Sequence, residues 1–212
     1  MNYGDHKKLT VSLRSRLLGE ARTNPKFFDA VTALEIAIKY HNDFRKDGKP
    51  TIIHQLSIAL FAYTLIAYYK DPVSIIVAAL LHDTFEDYPE SEEEIKKLLP
   101  DYFEYVYKLS KVRYGAKINY DIYFKTISEC PICSIVKLID RMHNLSTMQG
   151  AFKPEKQVQY VLECEKYFFP MLKKAKRKFL FQEMAYENIK SNLLIICSNI
   201  RAALPKELFE LK

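Results

Sequence analysis

The 212-residue sequence predicts an all-helical protein, and three observations carry that expectation. Only 5 glycines interrupt the chain. Apolar residues recur at three and four positions rather than two, among abundant Leu, Ile, Lys, Glu and Ala, all good helix formers or helix-compatible. The prolines fall near the starts and breaks of these periodic segments, where a missing N–H costs least. The length suits a single domain, 1–212, able to bury its own core without disulfides or a structural metal.

In order along the chain, the first periodic segment covers 10–21 and the second 27–46, the latter ending in the basic turn Arg45-Lys46-Asp47-Gly48-Lys49-Pro50. The third, 52–69, follows Pro50. The fourth has the clearest start: Asp71 caps it, Pro72 occupies its first position, and Val73, Ile76, Val77, Leu80 and Leu81 form one face running to His82-Asp83. Glu90, Glu92, Glu93 and Glu94 then mark an exposed helix start beside its positive dipole end, leading into 92–99. Helices over 101–111, 119–128, 132–149 and 154–175 follow, the first, third and fourth of them entered from Pro100, Pro131 and Pro154. The last, 180–202, belongs to a C-terminal helical extension, 171–212. Its Leu180, Phe181, Met184, Leu193, Leu194, Ile196, Cys197 and Ile200 are too apolar to leave in water, so it covers the core or forms a dimer seam, with the core preferred. Strands are not expected to matter.

With 49% apolar and 27% charged residues, no apolar run of membrane-spanning length and no signal-peptide pattern, the chain reads as soluble and cytoplasmic, with no membrane partner. Four cysteines do not make a disulfide scaffold, and Cys130-Pro-Ile-Cys133 lacks the second ligand pair of a zinc site, so it is read as a helix start. The net charge of +6 favours polyanions such as nucleotides or RNA. The run Lys173, Lys174, Lys176, Arg177, Lys178 is read as a solvated helix face.

Chemistry is expected where ionisable residues interrupt apolar helices, because burying an unpaired charge is costly. His54 follows Thr51-Ile52-Ile53, His82-Asp83 end an apolar stripe, and Asp140 interrupts Ile135 to Ile139. Two imidazoles and two carboxylates suit a first-row divalent ion such as manganese, iron or zinc. Taken singly, each reads better as a helix-end polar residue; the set carries the metal reading. Glu86 and Asp87 lie one turn beyond His82 and Asp83, a crowding of like charges that a cation and a role in proton transfer would explain. Asn144 and Thr147 continue the line of Asp140, as substrate contacts or as core and capping hydrogen bonds. Arg45 and Lys46 offer donors for phosphate or, for Arg45, a plane for stacking on a base.

Three segments together resemble the hydrolase domain of the RelA/SpoT (p)ppGpp family, especially its stand-alone members, the small alarmone hydrolases. They are His41 with Arg45-Lys46-Asp47-Gly48-Lys49-Pro50-Thr51-Ile52-Ile53-His54; Ala78-Ala79-Leu80-Leu81-His82-Asp83-Thr84-Phe85-Glu86-Asp87; and Val136-Lys137-Leu138-Ile139-Asp140-Arg141-Met142-His143-Asn144-Leu145-Ser146-Thr147. The match runs over 28–170. The resemblance implies an HD-domain helical bundle in which His54, His82, Asp83 and Asp140 hold a metal, commonly Mn2+, and Glu86 and Asp87 activate and position water. Arg45, Lys46, Asn144 and Thr147 would contact the nucleotide, and the reaction would remove the 3′-pyrophosphate of a guanosine alarmone. Ser146, where the family often has Arg, and the stretch 114–130 depart from the pattern. Within these 212 residues a synthetase domain is not expected. The competing expectations are a related phosphohydrolase acting on (p)ppApp, NADPH or pyrophosphorylated tRNA, a class that would include an antitoxin to a toxic small alarmone synthetase, and a catalytically idle nucleotide sensor, against which the intact His82-Asp83 and Glu86-Asp87 argue.

Overall fold

The computed structural model describes residues 6–44, 48–111 and 119–210, and the elements named there are helices. By its contacts the chain divides into two compact units, 1–118 and 119–212. No helix among the described residues is long and apolar enough to cross a membrane.

The first unit contains α1 (His6–Ala21), α2 (Phe27–Tyr40), α3 (Ile52–Thr64), α4 (Pro72–Leu81), α5 (Thr84–Asp87), α6 (Glu92–Leu98) and α7 (Pro100–Leu109). At its centre is α4, in which every residue from Val73 to Leu81 is buried. A helix apolar on all sides has to be wrapped by others, and α2, α3 and α7 pack around it. Its start is fixed as the sequence predicts: the Asp71 side chain accepts the Ser74 N–H at 3.1 Å, with Pro72 in the first turn. A short connection over 65–71, including a single 3-10 turn, reverses the chain, so the end of α4 returns beside the start of α3.

The helix expected over 27–46 stops at Tyr40. Beyond it the chain closes a turn: Phe44 and Pro50 form an isolated antiparallel bridge, and the Asp43 carbonyl accepts both the Thr51 N–H (2.9 Å) and its hydroxyl (3.0 Å). Gly48, at φ +76°, takes the left-handed conformation that side chains resist. The expected 52–69 helix likewise ends early, at Thr64.

The second unit contains α8 (Tyr120–Ser128), α9 (Pro131–Thr147), α10 (Pro154–Glu163), α11 (Phe169–Lys178), α12 (Glu183–Ala203) and α13 (Glu207–Glu210). The stretch expected as one helix over 154–175 is interrupted by a π-turn, Cys164–Phe168, just before Pro170. Proline cannot donate to the carbonyl one turn back, and the wider turn accommodates that missing bond. Cys130 caps α9, its sulfur accepting the Cys133 N–H at 3.4 Å, and both thiols are buried and not disulfide-bonded. The C-terminal helix α12 packs against α9 with Tyr186, Ile189 and Leu193 fully buried. Each such side chain contributes about 1.5–3 kcal/mol. A buried hydrogen-bonded trio, Ser134 Oγ to Tyr186 OH (2.7 Å) and Gln182 Nε2 to Tyr186 OH (2.9 Å), fixes the register of the two helices. The basic run ends α11; Lys174 and Lys178 pair with Glu129, and Lys176 with Glu187, while Lys173 and Arg177 are exposed.

Candidate metal centre

In the first unit, packing of α4 on α3 brings three of the expected ligands together. His54, in the first turn of α3, and His82, immediately after α4, are both buried, with ring centroids 5.2 Å apart. Asp83 lies on their open side: its Oδ2 is 2.9 Å from His82 Nε2 and 3.7 Å from His54 Nε2, and its side chain is 29% exposed. One donor atom from each of the three lies within 4.8 Å of the others. Atoms held at about 2.0–2.2 Å from one ion are at most about 4.4 Å apart, so only small side-chain rotations separate this arrangement from a coordination sphere.

The donor chemistry fits as well. His82 Nδ1 lies 2.9 Å from the Ala79 carbonyl oxygen, which can only accept, so Nδ1 carries a proton and Nε2 is the ring nitrogen turned towards the cluster. Two imidazoles and a carboxylate match a first-row divalent ion better than magnesium or a thiolate-seeking metal.

The helical path bends at this point. Asp83, at φ −107° and ψ −7°, separates α4 from the single turn α5, while the Asp87 N–H still reaches the Asp83 carbonyl at 2.9 Å. Glu86 Oε2 accepts the Lys111 backbone N–H at 2.8 Å, and Oε1 lies 3.4 Å from Lys111 Nζ. Burial pushes the Asp87 carboxyl above its ordinary range, the negative charges of Asp83 and Glu86 add to the effect, and His82 and Lys111 oppose it. Beneath α5, buried His41 meets the Thr84 hydroxyl at 3.1 Å and packs edge-on against Tyr88.

In the second unit, Asp140 is buried on α9 and gripped on both oxygens, Lys137 Nζ donating to Oδ2 (2.9 Å) and Asn144 Nδ2 to Oδ1 (2.6 Å). Asn144 thus has a partner one turn back on its own helix. Thr147 is exposed and donates to the His143 carbonyl at 2.9 Å, a helix-end bond. Arg45 and Lys46 lie outside the described residues.

Two lysines beside this chemistry were not singled out from the sequence. Lys137, only 7% exposed, interrupts the same apolar stripe as Asp140 three residues earlier, so the reasoning that picks out Asp140 should also have picked it. Lys111 carries no local signal, because its partner is distant in sequence.

The HD domain family model matches residues 51–197. A guanosine-3′,5′-bis(diphosphate) 3′-pyrophosphohydrolase of Aquifex aeolicus is 34% identical over 146 residues, covering 66% of this chain and 20% of that protein. A GTP pyrophosphokinase of Streptomyces coelicolor is 30% identical over 147 residues, covering 66% and 17%. The chain thus spans a fifth or less of the length of these relatives. A solved structure, described as a metazoan ortholog of SpoT that hydrolyses ppGpp, aligns with a TM-score of 0.57 at 19% identity over 82% of this chain and 94% of its own, which shows a shared fold. Because the family match takes in well over half of the sequence, including His54, His82, Asp83 and Asp140, the chain belongs to the HD domain family.

Proposed function

We propose that this chain is a metal-dependent hydrolase that removes the 3′-pyrophosphate from guanosine alarmones, giving GDP or GTP and pyrophosphate. The observation that carries the reading is the convergence of His54, His82 and Asp83, with Glu86 and Asp87 one turn beyond, in an HD-family chain. Relatives named as guanosine-3′,5′-bis(diphosphate) 3′-pyrophosphohydrolases support the choice of substrate.

Asp140 is proposed as the fourth ligand, on its place in the family pattern and the cost of burying a carboxylate at that position. Mn2+ is the proposed ion; when bound, it supplies Lewis acidity, making the attacking water more acidic and offsetting phosphoryl charge. The chain's own residues do the rest. Glu86 and Asp87 orient the water and accept its proton, and the raised affinity of Asp87 for a proton suits it to the accepting role. The water oxygen bonds to the phosphorus attached to the 3′ oxygen, the P–O bond to that oxygen breaks, and the proton passes to the departing 3′ oxygen. Arg45, Lys46, Asn144 and Thr147 are the proposed nucleotide contacts, and residues 1–212 the proposed functional domain, working in the cytoplasm.

The test is incubation of the purified protein with Mn2+ and a panel of ppGpp, pppGpp, their adenosine counterparts, NADPH and pyrophosphorylated tRNA, read by anion-exchange chromatography. GDP or GTP together with pyrophosphate is the expected outcome. Turnover confined to another member of the panel, or none at all, refutes the reading.

A further inference from the structure

The single turn α5 is too short to hold its own shape, since four residues close hardly any helical hydrogen bonds. Its side chains are therefore oriented by what surrounds them, and α7 is one of the neighbours that do so. Phe85, buried at 6% exposure, packs against Phe103 and Tyr107 of α7 with ring centroids 6.3 and 5.9 Å away. At the end of α7, Leu109 and Ser110 are buried, and the Ser110 N–H closes the last turn on the Val106 carbonyl at 3.1 Å. Ser110 then turns extended, at φ −68° and ψ 134°, which aims the next residue back at α5. That residue is Lys111.

We propose that Lys111 is a positioning residue that clamps the Glu86 carboxylate. Its backbone N–H donates to Oε2 at 2.8 Å and its ammonium stands 3.4 Å from Oε1, so one oxygen is held directly and the other is restrained by an ion pair, and together they limit rotation of the carboxylate plane. One contact alone would leave that plane free to rotate. The backbone half of the clamp is anchored from one side by buried Leu109 and Ser110; the ammonium half, on a side chain 43% exposed, is the adjustable one. The clamp rests on the proposed function only in giving Glu86 something to do; the geometry stands without it.

Lys111→Met removes the ammonium and keeps the backbone donor and the chain length. Misplacement of a reacting group by about 1 Å can cost on the order of 100-fold, and with half of the clamp retained the expected loss in kcat is about 10-fold or more, with KM changed less than about twofold. Lys111→Arg restores most of the rate, and in a Glu86→Gln background Lys111→Met changes kcat by less than about twofold, because no carboxylate remains to be positioned. A rise in KM alone makes Lys111 a substrate contact and overturns the proposal; so does an unchanged kcat. If the wild-type chain turns over no alarmone, the functional reading fails separately. The clamp is then read from carboxyl-13C spectra, where the Glu86 signal, identified by its loss in Glu86→Gln, must move and broaden in Lys111→Met. A Glu86 signal indifferent to that substitution overturns the clamp.

Discussion

Replacing Lys137 with Met separates a buried structural ion pair from a metal ligand. In the second unit the Lys137 and Asp140 side chains are 8% and 7% exposed, and their 2.9 Å contact is backed by the Asn144 amide at 2.6 Å. Removing one partner of a buried pair leaves the other charge uncompensated, at a cost of about 3–5 kcal/mol. For a chain of this size each kcal/mol shifts Tm by roughly 2–4 °C, so the metal-free variant should melt about 6–20 °C below wild type. Mn2+ at a hundred times its Kd stabilises a one-site protein by about 2.7 kcal/mol. If Asp140 ligates the ion, the cation replaces the missing ammonium, and the increment on adding Mn2+ should be larger in Lys137→Met than in wild type. Calorimetry of both proteins, stripped and reloaded, measures this. A metal-free loss under about 1 kcal/mol would show that the pair carries little of the fold. An equal or smaller Mn2+ increment in the variant would remove Asp140 from the ligand set, leaving His54, His82 and Asp83 to stand alone.

Two other outcomes follow from the geometry. Glu86→Gln and Asp87→Asn should each lower turnover by on the order of 100-fold while metal content, measured on the purified variants, stays close to wild type; loss of metal from both would make them ligands instead of proton acceptors. Burial raises the Tyr186 hydroxyl to about 12 from the ordinary 10.0. With the folded value above the unfolded one, that contribution to stability is intact below pH 10, is lost as pH rises from about 10 to 12, and amounts to about 3 kcal/mol. Chemical denaturation over that range should show the decline in wild type, and Tyr186→Phe should remove this share of it.

The fold was legible where side chains report their own environment. The Asp71-Pro72 start of α4 and the apolar face of α9 follow from residue type and spacing alone. The apolar residues expected to be covered over 180–200 are covered only in part: Leu193, Cys197 and Ile200 are buried, whereas Leu180, Phe181, Met184 and Leu194 are exposed, because residue type alone does not say which side of a helix meets its neighbour. The helix boundaries that differ did so for reasons that spacing does not carry. After Tyr40 the chain obeys a backbone turn, with Gly48 at positive φ and two hydrogen bonds onto the Asp43 carbonyl, although the apolar and basic residues there suit a helix just as well. Before Pro170 the chain keeps winding but widens by one residue, because a proline inside a helix can be absorbed as well as obeyed.

For the site, a polar residue in an apolar stripe announces that it has a partner without saying which. That logic finds His54, His82, Asp83 and Asp140 from sequence, yet applied evenly it returns Lys137 with the same force. An ammonium cannot ligate a cation, so a reading organised around a metal passes over it, although burial makes it as costly as any ligand. Its place one turn before Asp140, on the same face, brings its ammonium onto the Asp140 carboxylate at 2.9 Å. Lys111 belongs to the opposite case. Its side chain is partly exposed and interrupts no apolar stripe, and only the packing of α5 on α7 brings it to Glu86. His54, His82, Asp140 and Lys137 are conspicuous in the sequence because each is a buried polar residue interrupting an apolar stripe, whereas the partly exposed Lys111 gives no such signal.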